Sequence, residues 1–249
     1  MITESYCAEK EALFSPGALL GERKNICDAA IATFSGEIHH AVLEKYAHRV
    51  VGQIDTVNGH IPIYLLDVYD KKVIFYLSPI GSCVAGTFII EAQWQTGFQK
   101  LIVFGSAGAL DSEATNSKYV IPTQAYRDEG LSYHYAPPAD YIDIKNSDKL
   151  AEIFKELRLP FVQGRIWTTD AIYRETKTAV AARKKDGCIA VEMELAGMQA
   201  VCDFHGIELY DFLVTGDVLD GEKYDPDGLD EANHSLDKFY VALKILEMI

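Results

Sequence analysis

The chain has 249 residues, long enough for one α/β domain with a full core, and its 49% apolar and 24% charged residues are an ordinary globular balance. A net charge of −14 and a pI near 4.9 argue against nucleic acid or an anionic membrane as partner, although a small anion needs only local donors. Scattered cysteines without a CxxC pair, no apolar run of about 18 residues and no signal-like start predict a cytoplasmic, soluble protein.

Residues 1–14 are polar, and Phe14-Ser15-Pro16-Gly17 reads as a turn. Ile26, Ala29, Ala30 and Phe34 recur at helical spacing and predict a helix over 22–34. The adjacent His39 and His40 cannot face one ligand from a helix, so surface histidines are expected there and no metal site. Val50–Val57 and Ile61–Val68, joined by Asn58-Gly59, read as a hairpin. Val73–Leu77 is a further strand, ending in SPIGSCVAG (Ser78–Gly86) ahead of a helix that carries Ile89, Ile90, Ala92 and Trp94. Strand, small-residue turn, helix is the layout of a ligand pocket at a strand's C-terminal end.

Lys100–Phe104 (KLIVF) is the next strand, and Gly105-Ser106-Ala107-Gly108-Ala109 follows it. Glycines at 105 and 108 let the backbone approach a ligand and Ser106 adds a hydroxyl, while a purely structural turn would look the same. Tyr119–Ala125 is strand-like. The loop Arg127–Tyr135 (RDEGLSYHY) crowds rings that either sandwich a flat heterocycle or pack as a lid. Ser147–Leu157 reads as a surface helix, Phe161–Trp167 as a strand leading to Thr168-Thr169-Asp170, and Lys177–Lys185 as a basic helix.

The stretch Gly187–Gly197 (GCIAVEMELAG) is the one around which the others are arranged. Cys188–Val191 has strand character, Glu192-Met193-Glu194 follows at once, and Leu195, Met198, Val201 and Cys202 then repeat at helical steps. Acidic groups delivered where a strand meets a helix suit a ligand site, and equally suit the helix dipole. Glu208–Val214 is the last strand and delivers Thr215-Gly216-Asp217. The acid-rich stretch 220–231 fails the spacing of a calcium loop and reads as a solvated loop. A closing helix from Ala232 buries Leu236, Phe239, Tyr240, Leu243 and Leu246. No repeat, linker or low-complexity tract interrupts the chain, so one domain over residues 1–249 is expected.

Four segments in order, VFGSAGAL at 103–110, RDEGLSYHY at 127–135, WTTDAIYRET at 167–176 and VEMELAG at 191–197, resemble the nucleoside phosphorylase family. The aspartate of TGDVLDG at 215–221 falls where the purine enzymes carry theirs, and two of the segments look most like the uridine-phosphorylase-like branch. The resemblance implies an α/β fold with a central mixed β-sheet, partly rolled into a barrel and flanked by helices. It also implies a homodimer, or a hexamer built from dimers, in which a neighbour's residue completes each site. The implied reaction is cleavage of a nucleoside's N-glycosidic bond, foremost by phosphorolysis with inorganic phosphate as co-substrate and no cofactor. A phosphate-independent nucleosidase and a non-catalytic nucleoside binder are the other outcomes.

On this resemblance Asp217 is the acid that protonates a purine at N7, and Met193 and Glu194, with Glu192 beside them, hold the ribose. A free aspartate titrates near about 3.9, so proton donation near neutrality calls for burial or carboxylate neighbours. Gly81, Ser82, Gly105, Ser106 and Gly108 would build the phosphate or nucleophile site, with Arg49 or His60 donated by a neighbouring copy. Ala107, Ile172, Tyr173 and Val191 would face the base, with Ile172 where a phenylalanine usually stacks. The chain departs from the phosphorylase pattern at Val103, where an arginine is expected, and at Gly21, four residues past Gly17. The hydrolytic relatives place a glutamate near that N-terminal turn, where this chain has Leu20 with Glu22 close by. Pyrimidine-specific members carry Gln and Arg where Thr176 and Thr178 stand, so Asp217 tilts the expectation to purines over uridine.

Overall fold

Side chains along the KLIVF strand alternate between two apolar faces, as a pleated strand requires. Leu101 and Val103 enter one core, Ile102 and Phe104 the other. The computed structural model describes residues 1–249. Its strands are β1 (Ala29–Thr33), β2 (Ala47–Thr56), β3 (Gly59–Val68), β4 (Lys71–Leu77), β5 (Lys100–Ala109), β6 (Tyr119–Asp128), β7 (Tyr141–Asp143), β8 (Phe161–Thr169), β9 (Cys188–Glu192) and β10 (Glu208–Val218). The helices are α1 (Gly17–Leu20), α2 (Gly36–Lys45), α3 (Ser82–Thr96), α4 (Ser112–Thr115), α5 (Ser132–Tyr135), α6 (Ser147–Glu156), α7 (Lys177–Lys185), α8 (Leu195–His205), α9 (Leu229–His234) and α10 (Asp237–Met248). None is long and apolar enough to cross a membrane.

The sheet runs β10-β6-β8-β9-β5-β1-β4-β3-β2, and β10 also pairs with β5. That extra pairing closes β5, β10, β6, β8 and β9 into a five-stranded barrel, while β1, β4, β3 and β2 continue as an open wing. Helices α3 and α8 pack on one face, and α2, α6 and α10 on the other. The mixed sheet, partly rolled and flanked by helices, is the architecture expected from the sequence.

The closure leaves one strand with a gap. β5 pairs with β1 from Lys100 to Phe104 and meets β9 only at Gly108 and Ala109. β10 covers its other side throughout. Gly105, Ser106 and Ala107 therefore have a sheet neighbour on one side only, at the point where the pairing partner changes. Such a switch point is where an open α/β sheet leaves room for a ligand.

Two expectations need correction. Residues 22–34 are not a helix: Ala29–Thr33 is a strand buried along its whole length between β4 and β5. A short run of small apolar residues buried on both faces carries no alternation, so helical spacing among alanines is uninformative there. His39 is not a surface residue; it stacks on Phe75 with ring centroids 5.2 Å apart, and burial pushes its imidazole down to about 4. His40 is exposed beside Glu44.

Candidate active site

One cavity of about 850 Å³ opens at the gap in β5. Its walls include Thr33 and Ser35 after β1, Gly105–Gly108, the end of β9 with Met193 and Glu194, and Asp217 on β10. Glu194 and Asp217 thus face the same space, as the proposed chemistry requires.

The VEMELAG turn is held by every neighbouring motif. Glu192, 7% exposed, accepts from the Thr168 hydroxyl on one oxygen and from the Glu194 and Leu195 N–H groups, each at 2.7 Å, on the other. Thr168 Oγ1 in turn accepts from Ala196 N at 3.1 Å. Both Glu192 oxygens are taken within the protein, so this residue braces the turn and the start of α8, where a carboxylate also suits the helix dipole. Glu194 differs: its Oε1 accepts from Gly81 N at 2.6 Å, and no protein partner takes Oε2. Gly81 reaches it with φ +102°, a conformation that favours glycine. Ser82 is wholly buried and gives both its N–H and its hydroxyl to Met193 O, at 3.0 and 3.1 Å. Gly81 and Ser82 therefore hold the Glu192–Glu194 turn, and neither lines the cavity.

Asp217 stands over Gly108. A Cβ built on that glycine would lie 2.4 Å from Leu219 Cδ1, 3.1 Å from Val191 Cγ1 and 3.4 Å from Asp217 Oδ2. Only hydrogen leaves room for Leu219 and Val191 at this point, with the Asp217 carboxylate in contact beside them. Gly108→Ala is expected to displace Leu219 and Asp217 and lower kcat by about tenfold or more, against a smaller change in KM, in steady-state kinetics.

Asp217 has acidic and phenolic company. Burial, then the Asp217 charge, pushes the Glu175 carboxyl up to about 7, and burial followed by the same charge raises the Tyr224 phenol, which also lines the cavity. Ile172, Tyr173 and Tyr224 form an exposed apolar rim of the cavity, 52%, 96% and 57% accessible. Ala107 and Val191 are buried in the wall. The rings of RDEGLSYHY lie elsewhere: the Arg127 guanidinium sits 4.2 Å from the Tyr133 ring centroid, and Tyr135 packs on Phe204. That loop is a packed brace for α8, not a base sandwich.

The opposite end of the cavity is a connected polar chain. The Ser106 hydroxyl donates to Asn233 Oδ1, and the adjacent His234 places Nδ1 2.8 Å from Ser35 Oγ. Ser35 N reaches Thr33 Oγ1 at 3.3 Å. Lys238 also lines the cavity; it is 2% exposed, its ammonium donates to the carbonyls of Ala232 and Asn233, and burial lowers it to about 8. Ser106 and Gly108 are two residues apart on one strand, so the two ends lie roughly 7 Å apart at the usual rise of about 3.3 Å per residue.

Arg49 and His60 do not reach this cavity from their own chain. Both are exposed on the β2–β3 hairpin at the sheet edge, where His60 pairs with Asp55 at 2.5 Å. Val103, in the arginine position, is 1% exposed inside the core. The turn that approaches the cavity from the N-terminal side follows β1 and brings Phe34 and Ser35 to it beside Thr33, while Gly17 and Gly21 do not line it. The sequence also gave no sign of Asp211, 2% exposed on β10, whose Oδ2 has no hydrogen-bond partner. Burial and the charges of Glu192 and Glu194 raise it well above the usual carboxylate range.

Comparison with known proteins gives the same frame. The family model described as the phosphorylase superfamily matches residues 28–244. A DeoD-type purine nucleoside phosphorylase of Caldanaerobacter subterraneus is 28% identical over 166 residues, covering 61% of this chain and 70% of the relative. Purine nucleoside phosphorylase from Toxoplasma gondii, solved with immucillin-H, superposes with a TM-score of 0.72 at 17% identity, covering 88% of this chain and 90% of that one. A futalosine hydrolase mutant of Helicobacter pylori superposes with a TM-score of 0.69 at 18% identity, over 90% of this chain and all of that one.

Proposed function

Because the chain belongs to the phosphorylase superfamily of nucleoside phosphorylases and nucleosidases, we propose that it cleaves the N-glycosidic bond of a purine nucleoside with water as the acceptor. Cleavage builds positive charge on the sugar and negative charge on the departing base. Glu194, with one oxygen fixed by Gly81 and one free, is suited to accept the sugar hydroxyls and to stabilise the ribosyl cation. Asp217, with Glu175 and Tyr224 beside it, is suited to place a proton on the leaving base. A purine goes with this acid, with the purine-cleaving relative and with Thr176 and Thr178 in the pyrimidine-reading positions.

The choice of water rests on one observation: no arginine lines the cavity. Bidentate arginine contacts are the usual grip on phosphate, whereas hydroxyls, an amide and an imidazole are sufficient partners for a water molecule. Phosphorolysis is the second reading, favoured by the phosphorylase relative and by Lys238, a buried cation with no carboxylate partner. An Arg49 presented by a second copy in a homodimer or hexamer would add to it. The five unpaired cysteines go with a reducing, cytoplasmic setting.

One assay separates the two. Inosine incubated with the protein in phosphate-free buffer is expected to yield free ribose at a rate that added phosphate leaves unchanged. Sugar released only with phosphate, and only as ribose 1-phosphate, would overturn hydrolysis in favour of phosphorolysis.

A further inference from the structure

We propose that Ser35, His234 and Glu37 form a proton relay that activates the attacking water at the acceptor end of the cavity. The inference rests on the hydrolytic reading above and assigns its missing base. Ser35 ends the turn after β1 and caps α2, its Oγ accepting from Ile38 N at 3.2 Å. The same oxygen lies 2.8 Å from His234 Nδ1, brought from the last residue of α9, 199 positions away in sequence. The other ring nitrogen, Nε2, faces Glu37 Oε1 at 3.9 Å. At 3.9 Å that carboxylate is a charge neighbour and not a hydrogen-bond partner; the relay uses the tautomer with its hydrogen on Nε2, toward Glu37, and its lone pair on Nδ1. Nδ1 is then the acceptor for the Ser35 hydroxyl, and that hydroxyl opens onto the cavity with Ser106 and Asn233.

Close packing between α9 and β10 brings the histidine there. A Cβ on Gly216 would lie 2.7 Å from Ala232 Cβ and 3.1 Å from Gly228 O, so glycine lets α9 sit directly on the strand that carries Asp217. Acid and base are thereby fixed to one element pair at opposite ends of the cavity.

The step balances. The water oxygen bonds to C1′ as the C1′–N bond breaks and its electron pair leaves with the base. The water proton passes to Ser35 Oγ while the Ser35 proton passes to His234 Nδ1, and the leaving base takes a proton from Asp217. Free base and free ribose leave; His234 returns its proton to solvent and Asp217 regains one. Glu37 is a positioning residue here, holding the tautomer and the imidazolium.

The test is steady-state hydrolysis of inosine in phosphate-free buffer by the whole protein and by three variants. His234→Ala is expected to lower kcat about a hundredfold or more with KM within about threefold, and imidazole added to the buffer to restore part of the rate. Ser35→Ala should match that loss without rescue, and Glu37→Gln should lose severalfold in kcat alone. His234 is partly solvent-facing, so its variant should unfold at the wild-type temperature. A His234→Ala protein that hydrolyses at the wild-type rate overturns the relay and leaves the hydrolytic reading standing. Loss of activity with no imidazole rescue and a raised KM assigns His234 a structural role and also overturns it. A wild type that makes only ribose 1-phosphate removes the reading and the relay together.

Discussion

Asp217→Asn is expected to lower kcat for a purine nucleoside by on the order of a hundredfold or more, with the unfolding temperature unchanged. Asparagine fills the same space beside Gly108, but it has no proton to give a departing base. Glu194→Gln is expected to cost as much for a different reason. The free Oε2 would be replaced either by an amide donor or by a weaker neutral acceptor, and the carboxyl group that can ionise opposite the ribosyl cation is lost. KM should move less than kcat in both, because each group acts most strongly on charge present only in the transition state. Steady-state kinetics on inosine and adenosine, with thermal unfolding as the control, measure both effects. A variant retaining more than about a tenth of wild-type kcat would remove that residue from the proposed chemistry.

The second large effect is on stability and is set by pH. Burial pushes Glu192, Glu194 and Asp211 upward, with mutual repulsion adding to Glu194 and Asp211. Carboxyls in the unfolded chain ionise near 4 to 4.5. Between there and the raised folded values the native state binds more protons than the unfolded one, so native stability falls as pH rises. The unfolding temperature is therefore expected to be highest near pH 5 and to decline through pH 8. Each unit of upward shift is worth about 1.4 kcal/mol. Asp211→Asn removes the buried acid that has no partner for Oδ2. It is expected to be near neutral at pH 5 and stabilising by about 1–3 kcal/mol at pH 8, flattening the profile. Denaturant melts at the two pH values check this; a wild type more stable at pH 8 than at pH 5 would contradict the protonated cluster.

Much of this site was legible in local sequence because its parts are short, stiff and contiguous. The strand–acid–helix run at 187–205 folds as read, and Lys177–Lys185 and the Asn58-Gly59 hairpin are where their patterns place them. Gly105–Gly108 and Asp217 meet because β5 and β10 run parallel, with an irregularity between Thr215 and Val218 that holds Asp217 beside Gly108. What could not be read was long-range. β1 lacks alternation, so an apparent helix over 22–34 masked the strand and, with it, the turn that brings Ser35 to the cavity. His234 and Lys238 fall in the closing helical stretch from Ala232, which carries no motif, and the contact at Gly216 seats α9, with His234, against β10. Gly81, Ser82 and Glu192 all meet at the Glu192–Glu194 turn, and which of their atoms are spent within the protein depends on hydrogen bonds that spacing does not encode.

The most direct measurement is release of free base from a panel of nucleosides, followed by chromatography with and without phosphate. Glu194 and Asp217 facing one cavity predict that hypoxanthine or adenine accumulates from inosine or adenosine with wild-type protein, and not with the double variant Glu194→Gln, Asp217→Asn. No base released from any purine or pyrimidine nucleoside under either condition would contradict an N-glycosidic cleavage site here.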